Sequence, residues 1–134
     1  MVVSSLAGLP AFLVYFCVSA ALVIAYLFIY TSITPHNEFA LIRANVPAAA
    51  VALGLSLIGF ALPVASAIAH AANILDCAIW SVVALIVQVI AYFVAQIPDP
   101  GLSKRIAAGE LAAAVWLGLV SVTAGLLSAA SMTY

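Results

Sequence analysis

Four apolar runs dominate the sequence, at about residues 9–30, 45–69, 76–96 and 104–131. Each run is long enough to cross a bilayer as a helix, which takes about 20 apolar residues. Because a helix satisfies its own backbone hydrogen bonds in hydrocarbon, we expect every run to form a transmembrane helix. The sequence therefore predicts an all-α integral membrane protein with four transmembrane helices, arranged as a single polytopic membrane domain over residues 1–134.

The composition excludes several classes of protein. Apolar residues make up 69% of the chain and charged residues 5%, whereas a soluble domain carries about 25% charged residues. Three Lys and Arg residues in all cannot form the basic surface that nucleic acid requires. We therefore expect the lipid bilayer to be the main partner, other membrane proteins to be further candidates, and nucleic acid not to be bound.

Local signals place the connections between the runs. The Pro-rich stretch 97–101 separates the third run from the fourth, and Ser103 suits the N-cap of span four. Thr34 followed by Pro35 predicts that a short helix begins at Pro35. Pro63 lies inside the second span, where it should kink the helix and free a carbonyl one turn earlier.

The chain also repeats itself. Residues 42–68 match residues 106–132 at 11 of 27 positions without a gap, an offset of 64 residues. The pattern predicts two parallel two-helix repeats, at about 9–69 and 76–131. Since each repeat crosses the membrane twice, the two copies should have the same orientation and be related by an axis along the membrane normal.

Basic residues predict the orientation in the membrane. Arg43, Lys104 and Arg105 fall in the two loops on one side, which the positive-inside rule assigns to the cytoplasm. Both termini should then lie outside the cytoplasm. Span one carries amphipathic aromatic residues that we interpret as anchors at the membrane interface: Tyr15, Tyr26 and Tyr30.

Several segments are similar to those of a known family. They are residues 29–38, which include Thr-Pro-His-Asn-Glu, residues 59–63, Trp80, Gln88 and residues 129–133. With these segments the chain resembles the YjfL-type small inner-membrane proteins, which carry the domain of unknown function 350. The resemblance implies a bacterial inner-membrane protein of four spans and implies no activity. This chain departs from the family pattern at the start of span four, where it has Gly109 and Glu110. The resemblance therefore assigns no role to Glu110.

Small residues recur on one face of span two and one face of span four, at spacings of three and four residues. Small side chains allow helices to approach closely in lipid, where packing replaces the hydrophobic effect. The contact can lie within one protomer or between subunits. The residues to which we assign helix packing are Gly54, Gly59, Pro63, Ala114, Gly118, Ser121 and Gly125.

Four polar residues are candidates for function. Gln88 lies near the middle of span three and needs a hydrogen-bond partner there. Glu110 is predicted about six residues into span four, on the small-residue face, where it either stabilises the helix N-terminus or titrates and contacts a cation. Asp76 suits the N-terminus of span three. Glu38 lies near the inner surface with His36, but two ligands without a third do not predict a metal site.

These features favour a non-enzymatic structural or accessory membrane protein that forms a homo-oligomer. The alternative is a small ion channel or transporter with a polar path near Gln88 and Glu110. Neither an acid–base pair nor a nucleophile with its base can be assembled from the sequence. We therefore expect no enzymatic activity, no metal and no cofactor.

Overall fold

The computed structural model describes residues 6–35 and 37–132. Within these residues the chain forms six helices and no strand. The helices are α1 (Leu9–Ile33), α2 (Glu38–Arg43), α3 (Pro47–His70), α4 (Ile74–Ala95), α5 (Leu102–Ala107) and α6 (Leu111–Ser131). The helices α1, α3, α4 and α6 are each long and apolar enough to cross a membrane. The predicted all-helical fold with four transmembrane helices is therefore confirmed.

Local capping residues determine where α2 and α3 begin. Pro47 opens α3, where its missing N–H would have had no helical partner in any case. The short helix α2 begins at Glu38 and not at Pro35 as predicted. Its N-cap is Asn37, whose side-chain oxygen accepts the amide of Ala40 at 3.1 Å. The start of α2 is therefore set by the side-chain cap of Asn37 and not by Pro35.

The largest departure from the predicted boundaries lies before the fourth span. The apolar run from residue 104 is not one helix, because α5 ends and the chain turns at Gly109, which has φ +87°. Backbone in this region favours glycine and ends a helix. Ser103 consequently lies inside α5 and does not cap span four. Asn45 also has a positive φ, of +64°, and it likewise ends the helix that precedes it. The second span therefore begins at Pro47 and not at Asn45.

The two turns that precede α3 and α6 have the same hydrogen bonds. After α2 the amide of Val46 donates to the carbonyl of Leu41, and after α5 the amide of Glu110 donates to the carbonyl of Arg105, both at 3.0 Å. This bond from the second residue past the helix cap, with a left-handed residue before it, is the Schellman motif. The two motifs are 64 residues apart, from Val46 to Glu110, which equals the offset of the sequence match.

Helices α3 and α6 form the closest pair in the bundle. Their contacts advance together along both helices, from Leu55 against Gly118 to Ser66, whose hydroxyl donates to the carbonyl of Ala129 at 2.9 Å. The two helices therefore run in the same direction. Helix α4 packs against both of them, and α1 lies against α3 and α4.

Helix α1 is the least buried span. Within its most apolar 18-residue stretch 11% of residues are buried, against 44% in α3. Tyr26 and Tyr30 are each 2% exposed, so their prediction as interfacial anchors was wrong. Tyr26 stacks on Phe60 with ring centroids 4.6 Å apart, and Tyr30 meets Tyr92 edge-on at 5.8 Å. These rings join the C-terminal half of α1 to α3 and α4, as aromatic pairs do in a packed core.

Candidate functional site

Gln88 on α4 joins three helices at the centre of the bundle. Its Nε2 donates to the carbonyl of Gly59 on α3 at 3.0 Å and to the carbonyl of Ser121 on α6 at 3.2 Å. Its Oε1 accepts the hydroxyl of Ser121. The side chain is 1% exposed. Both amide N–H groups and the amide oxygen are thus bonded inside the protein, which an amide in hydrocarbon requires.

Pro63 explains why the carbonyl of Gly59 is available to Gln88. A proline has no N–H, so the carbonyl four residues earlier in the helix loses its usual donor. In α3 that carbonyl belongs to Gly59, and the Nε2 of Gln88 takes the place of the missing N–H. We call Gly59, Pro63, Gln88 and Ser121 the amide latch.

Glycines bring the backbones of α3 and α6 into contact around the amide latch. A Cβ atom at Gly59 would lie 2.5 Å from the carbonyl oxygen of Ser121. A Cβ at Gly125 would overlap the carbonyl of Gly59, and one at Gly118 would overlap the side chain of Leu55. Any larger residue at these positions would force the helices apart, as expected for a close contact between helices in lipid.

Two further residues assigned to helix packing have different environments. Ala114 is fully buried on the same face of α6. At Gly54 a Cβ would meet nothing within 4 Å, so Gly54 makes no close helix contact within the protomer, and its contact with another subunit stays a prediction. The reason is angular: Gly54 precedes Gly59 by five residues, which places it about 140° around the helix from the face that meets α6.

Glu110 lies at the N-terminal end of the fourth span. It is the N-cap residue of α6, its side chain is exposed, and its Oε2 is 3.3 Å from the Nε of Arg105. Its predicted place inside span four, on the small-residue face, was wrong because the turn at Gly109 ends the preceding helix. Arg105 also bonds Asp99 and thereby holds the pKa of that carboxyl below its ordinary value, while Asp99 raises the pKa of Arg105.

Glu38 is more buried than its sequence position suggested. It is 1% exposed, and its carboxylate lies close enough to Tyr26, Tyr30 and Tyr92 to interact with their hydroxyl groups electrostatically. Sequence reasoning missed this cluster, although the spacing of four residues between Tyr26 and Tyr30 places both on one helix face. The predicted neighbour His36 lies outside the described residues.

Asp76 completes the cap of α4. The side chain of Asn73 accepts the amide of Asp76 at 2.9 Å, and Asp76 Oδ2 accepts the amide of Ala72 at 3.1 Å. Asn73 is thus the N-cap of α4, Asp76 holds the residue that precedes the cap, and α4 starts at Ile74, two residues before the predicted start. Among the described residues, no group of three His, Cys, Asp or Glu could hold a metal ion.

Comparison with known proteins identifies the family. The model of the family described as "Domain of Unknown Function (DUF350)" matches residues 4–132. The chain belongs to this family. It is 38% identical over 127 residues to the "UPF0719 inner membrane protein YjfL" of Escherichia coli strain K12, an alignment that covers 95% of this chain and 96% of the relative. The protein of the same name from Escherichia coli O157:H7 matches to the same extent.

No solved structure matches the chain. The family match and the four apolar helices confirm the predicted family and the membrane location. The protein is a small multi-pass inner-membrane protein.

Proposed function

We propose that this protein is a non-enzymatic structural component of the inner membrane that assembles with further copies of itself. The amide latch is the observation that carries this proposal. Gln88, at the centre of the bundle, uses both N–H groups and its oxygen on α3 and α6. An amide bonded in this way holds helices together, and both of its N–H donors are already used by the protein.

The charged residues support the same function. Asp76 caps α4, and Arg105 pairs with Asp99 and Glu110 in the turns around α5. Each of these charges thus has a local structural role at a helix end, where charges stabilise helix termini and turns. None of these pairs joins a nucleophile to a base, so the arrangement favours a protein without catalytic activity.

The orientation and the repeats are part of the proposal. Arg43, Lys104 and Arg105 belong to the short helices α2 and α5, which favours a cytoplasmic location for that side and an external location for both termini. The two Schellman motifs and the parallel direction of α3 and α6 support two repeats, at about 9–69 and 76–131. The partners we propose are the lipid bilayer, further copies of the chain and other membrane proteins.

A small ion channel or transporter is the second candidate. The observation that favours it is the burial of Glu38 among tyrosines, since an ionisable residue buried in a membrane protein often marks a path. The path predicted near Gln88 and Glu110 is less favoured. Glu110 lies at the surface, and a path through Gln88 would have to break the amide latch.

Reconstitution separates the two candidates. The purified protein is reconstituted in liposomes, and the flux of protons, K⁺ and Cl⁻ across the membrane is measured. The mass of the particle in detergent is measured separately by light scattering. A structural component should form an oligomer and give no flux above empty liposomes. Flux that Glu38→Gln abolishes, while Thr123→Val leaves it unchanged, would overturn the structural proposal and establish the channel. A monomeric mass at every detergent concentration would contradict self-assembly.

A further inference from the structure

The short helices α2 and α5 occupy equivalent places in the sequence match. Each has six residues, and their bounds, Glu38–Arg43 and Leu102–Ala107, differ by the same 64 residues. The first residue of each helix is buried, since Glu38 is 1% exposed and Leu102 is 2% exposed. The second of these positions is filled by an apolar side chain, so packing does not require a carboxylate there. Because burying a carboxylate costs far more than burying a leucine, Glu38 points to a role beyond packing.

A polar cleft of about 380 Å³ lies beside Glu38, where α1 ends and α2 begins. Four of the six residues that line it carry a side-chain oxygen, and the six are Thr31, Thr34, Pro35, Asn37, Glu38 and Phe39. The cleft thus brings hydroxyl, amide and carboxyl oxygens from two helices and their connection to one place.

The hydroxyl groups of the cleft are arranged as acceptors. Thr31 Oγ1 donates its hydrogen to the carbonyl of Leu27 at 2.9 Å. Thr34 Oγ1 donates to the carbonyl of Tyr30 at 3.1 Å. A hydroxyl has one hydrogen, so each of these oxygens keeps its lone pairs for another group. Asn37 Oδ1 caps α2 and also keeps a second lone pair. The oxygens of the cleft can therefore coordinate a positively charged group.

The electrostatic field at the cleft favours positive charge. Helix α1 ends there at Ile33, and the C-terminal end of a helix carries partial negative charge. The last turn of α1 contains no basic residue that would offset it. The carboxylate of Glu38 belongs to the same wall and adds charge of the same sign.

A buried hydroxyl beside Glu38 has no hydrogen-bond partner within the described part of the chain. Tyr30 is 2% exposed, its hydroxyl is unpartnered, and it lies close enough to Glu38 to interact electrostatically. The hydroxyl of Ser56 on α3 is buried and unpartnered in the same way, within reach of Tyr30. A bound water or ion is one established reason for a buried polar atom to lack a protein partner.

We propose that this cleft binds one monovalent inorganic cation of the class of Na⁺ and K⁺. Hard cations take oxygen ligands, which Thr31, Thr34 and Asn37 present, while Glu38 supplies the counter-charge from beneath the lining. One carboxylate balances one positive charge, whereas a Ca²⁺ site of the common type uses several carboxylates. The inference goes beyond the proposed function, because a bound cation can join α1 to α2 in a structural component without crossing the membrane.

Equilibrium binding of radioactive ions tests the site. The purified full chain in detergent is incubated with radioactive sodium or with radioactive rubidium, a tracer for K⁺, and choline chloride keeps the ionic strength constant. We expect saturable binding of one ion per chain. The melting midpoint, followed by circular dichroism, should rise with the concentration of the same ion and then level off, because the cation binds the folded state. Competition between Na⁺ and K⁺ identifies which of the two binds more tightly.

Glu38→Leu is the most informative variant, because Leu102 holds the equivalent position in α5. The variant should fold, bind neither ion and melt at a temperature that does not depend on Na⁺ or K⁺. Glu38→Gln keeps the shape of the side chain, removes its charge and should behave in the same way. Either variant serves as the test if the other fails to fold.

Thr31→Val tests the oxygens of the cleft without touching the carboxylate. It should raise the half-saturating ion concentration by about tenfold, the effect of losing one contact between a polar group and a charge. Thr123→Val is the matched control, because the Thr123 hydroxyl also bonds a carbonyl of its own helix, at Leu119, but lies outside the cleft. It should leave the half-saturating concentration unchanged.

Three outcomes would overturn the inference. Folded wild-type protein that binds neither ion saturably would exclude the site. Binding that Glu38→Leu or Glu38→Gln leaves intact would place the cation elsewhere. Competition by Ca²⁺ or Mg²⁺ at lower concentrations than Na⁺ and K⁺ would exclude a monovalent site. None of these results bears on self-assembly or flux, which the reconstitution measures separately.

Discussion

Replacing Gln88 with Leu removes the amide latch with little change in side-chain volume. The substitution deletes three hydrogen bonds between helices, each worth about 0.6 kcal/mol in a membrane protein. It also leaves the carbonyl of Gly59 without a donor, a cost of about 1–3 kcal/mol. We expect Gln88→Leu to lower the free energy of unfolding by about 3–5 kcal/mol, which exceeds the cost of a near-isosteric core change alone, about 1.5 kcal/mol at most.

A second substitution isolates the role of Pro63. Pro63→Ala returns an N–H to α3, so the carbonyl of Gly59 regains a helical donor and no longer depends on Gln88. The double variant should therefore be more stable than the sum of the two single effects predicts. We expect a coupling of about 1–3 kcal/mol, which corresponds to the cost of the orphaned carbonyl.

The four proteins of this cycle are unfolded by adding sodium dodecyl sulfate to mixed micelles, with helix content followed by circular dichroism. Thr123→Val is the control, because the Thr123 hydroxyl bonds the carbonyl of Leu119 within its own helix, and the change should stay within about 0.5 kcal/mol. Additive effects of Gln88→Leu and Pro63→Ala, to within about 0.5 kcal/mol, would refute the link between the proline and the amide.

Three further expectations follow from the described contacts. Gly125→Ala should destabilise the protein by about 1–3 kcal/mol in the same unfolding assay, because its Cβ overlaps a carbonyl of α3, whereas Gly54→Ala should not. The lowered pKa of Asp99 means that its pair with Arg105 stabilises above the ordinary carboxyl pKa of about 3.9 and is lost as pH falls through the lowered value. Arg105→Gln should raise the pKa of Asp99 in a carbon-13 titration by nuclear magnetic resonance, and an unchanged pKa would contradict the pairing. A reporter active only in the cytoplasm should stay silent when fused to Tyr134, and a strong signal would reverse the proposed orientation.

The parts of the fold that follow from local chemistry were predictable from sequence. The four spans follow from apolar length, and these are the helices found. Two separate predictions concerned hydrogen bonds: Pro63 frees a carbonyl one turn earlier, and Gln88 needs a partner. Each follows from the donors and acceptors of a single residue. That the two meet in one bond required the three-dimensional packing of α3 against α4.

The start of the fourth span was not predictable from the same reasoning. Residues 102–116 have the composition of a continuous helix, and a glycine inside such a run is tolerated. The turn becomes clear only from the repeat, since Gly109 corresponds to Asn45, and both have positive φ before a Schellman bond. An Asn and a Gly at equivalent positions are the two residues that most readily adopt this conformation, and that shared property was the available signal.

The prediction that Tyr26 and Tyr30 of α1 lie at the membrane interface was wrong for a different reason. A Tyr ring suits a membrane interface and a protein core equally well, because its body is apolar and its hydroxyl is polar. Tyr26 and Tyr30 face Phe60 and Tyr92, residues far away in sequence, and no local pattern states which environment a ring will meet. The burial of Glu38 depends on the same rings and was therefore missed with them.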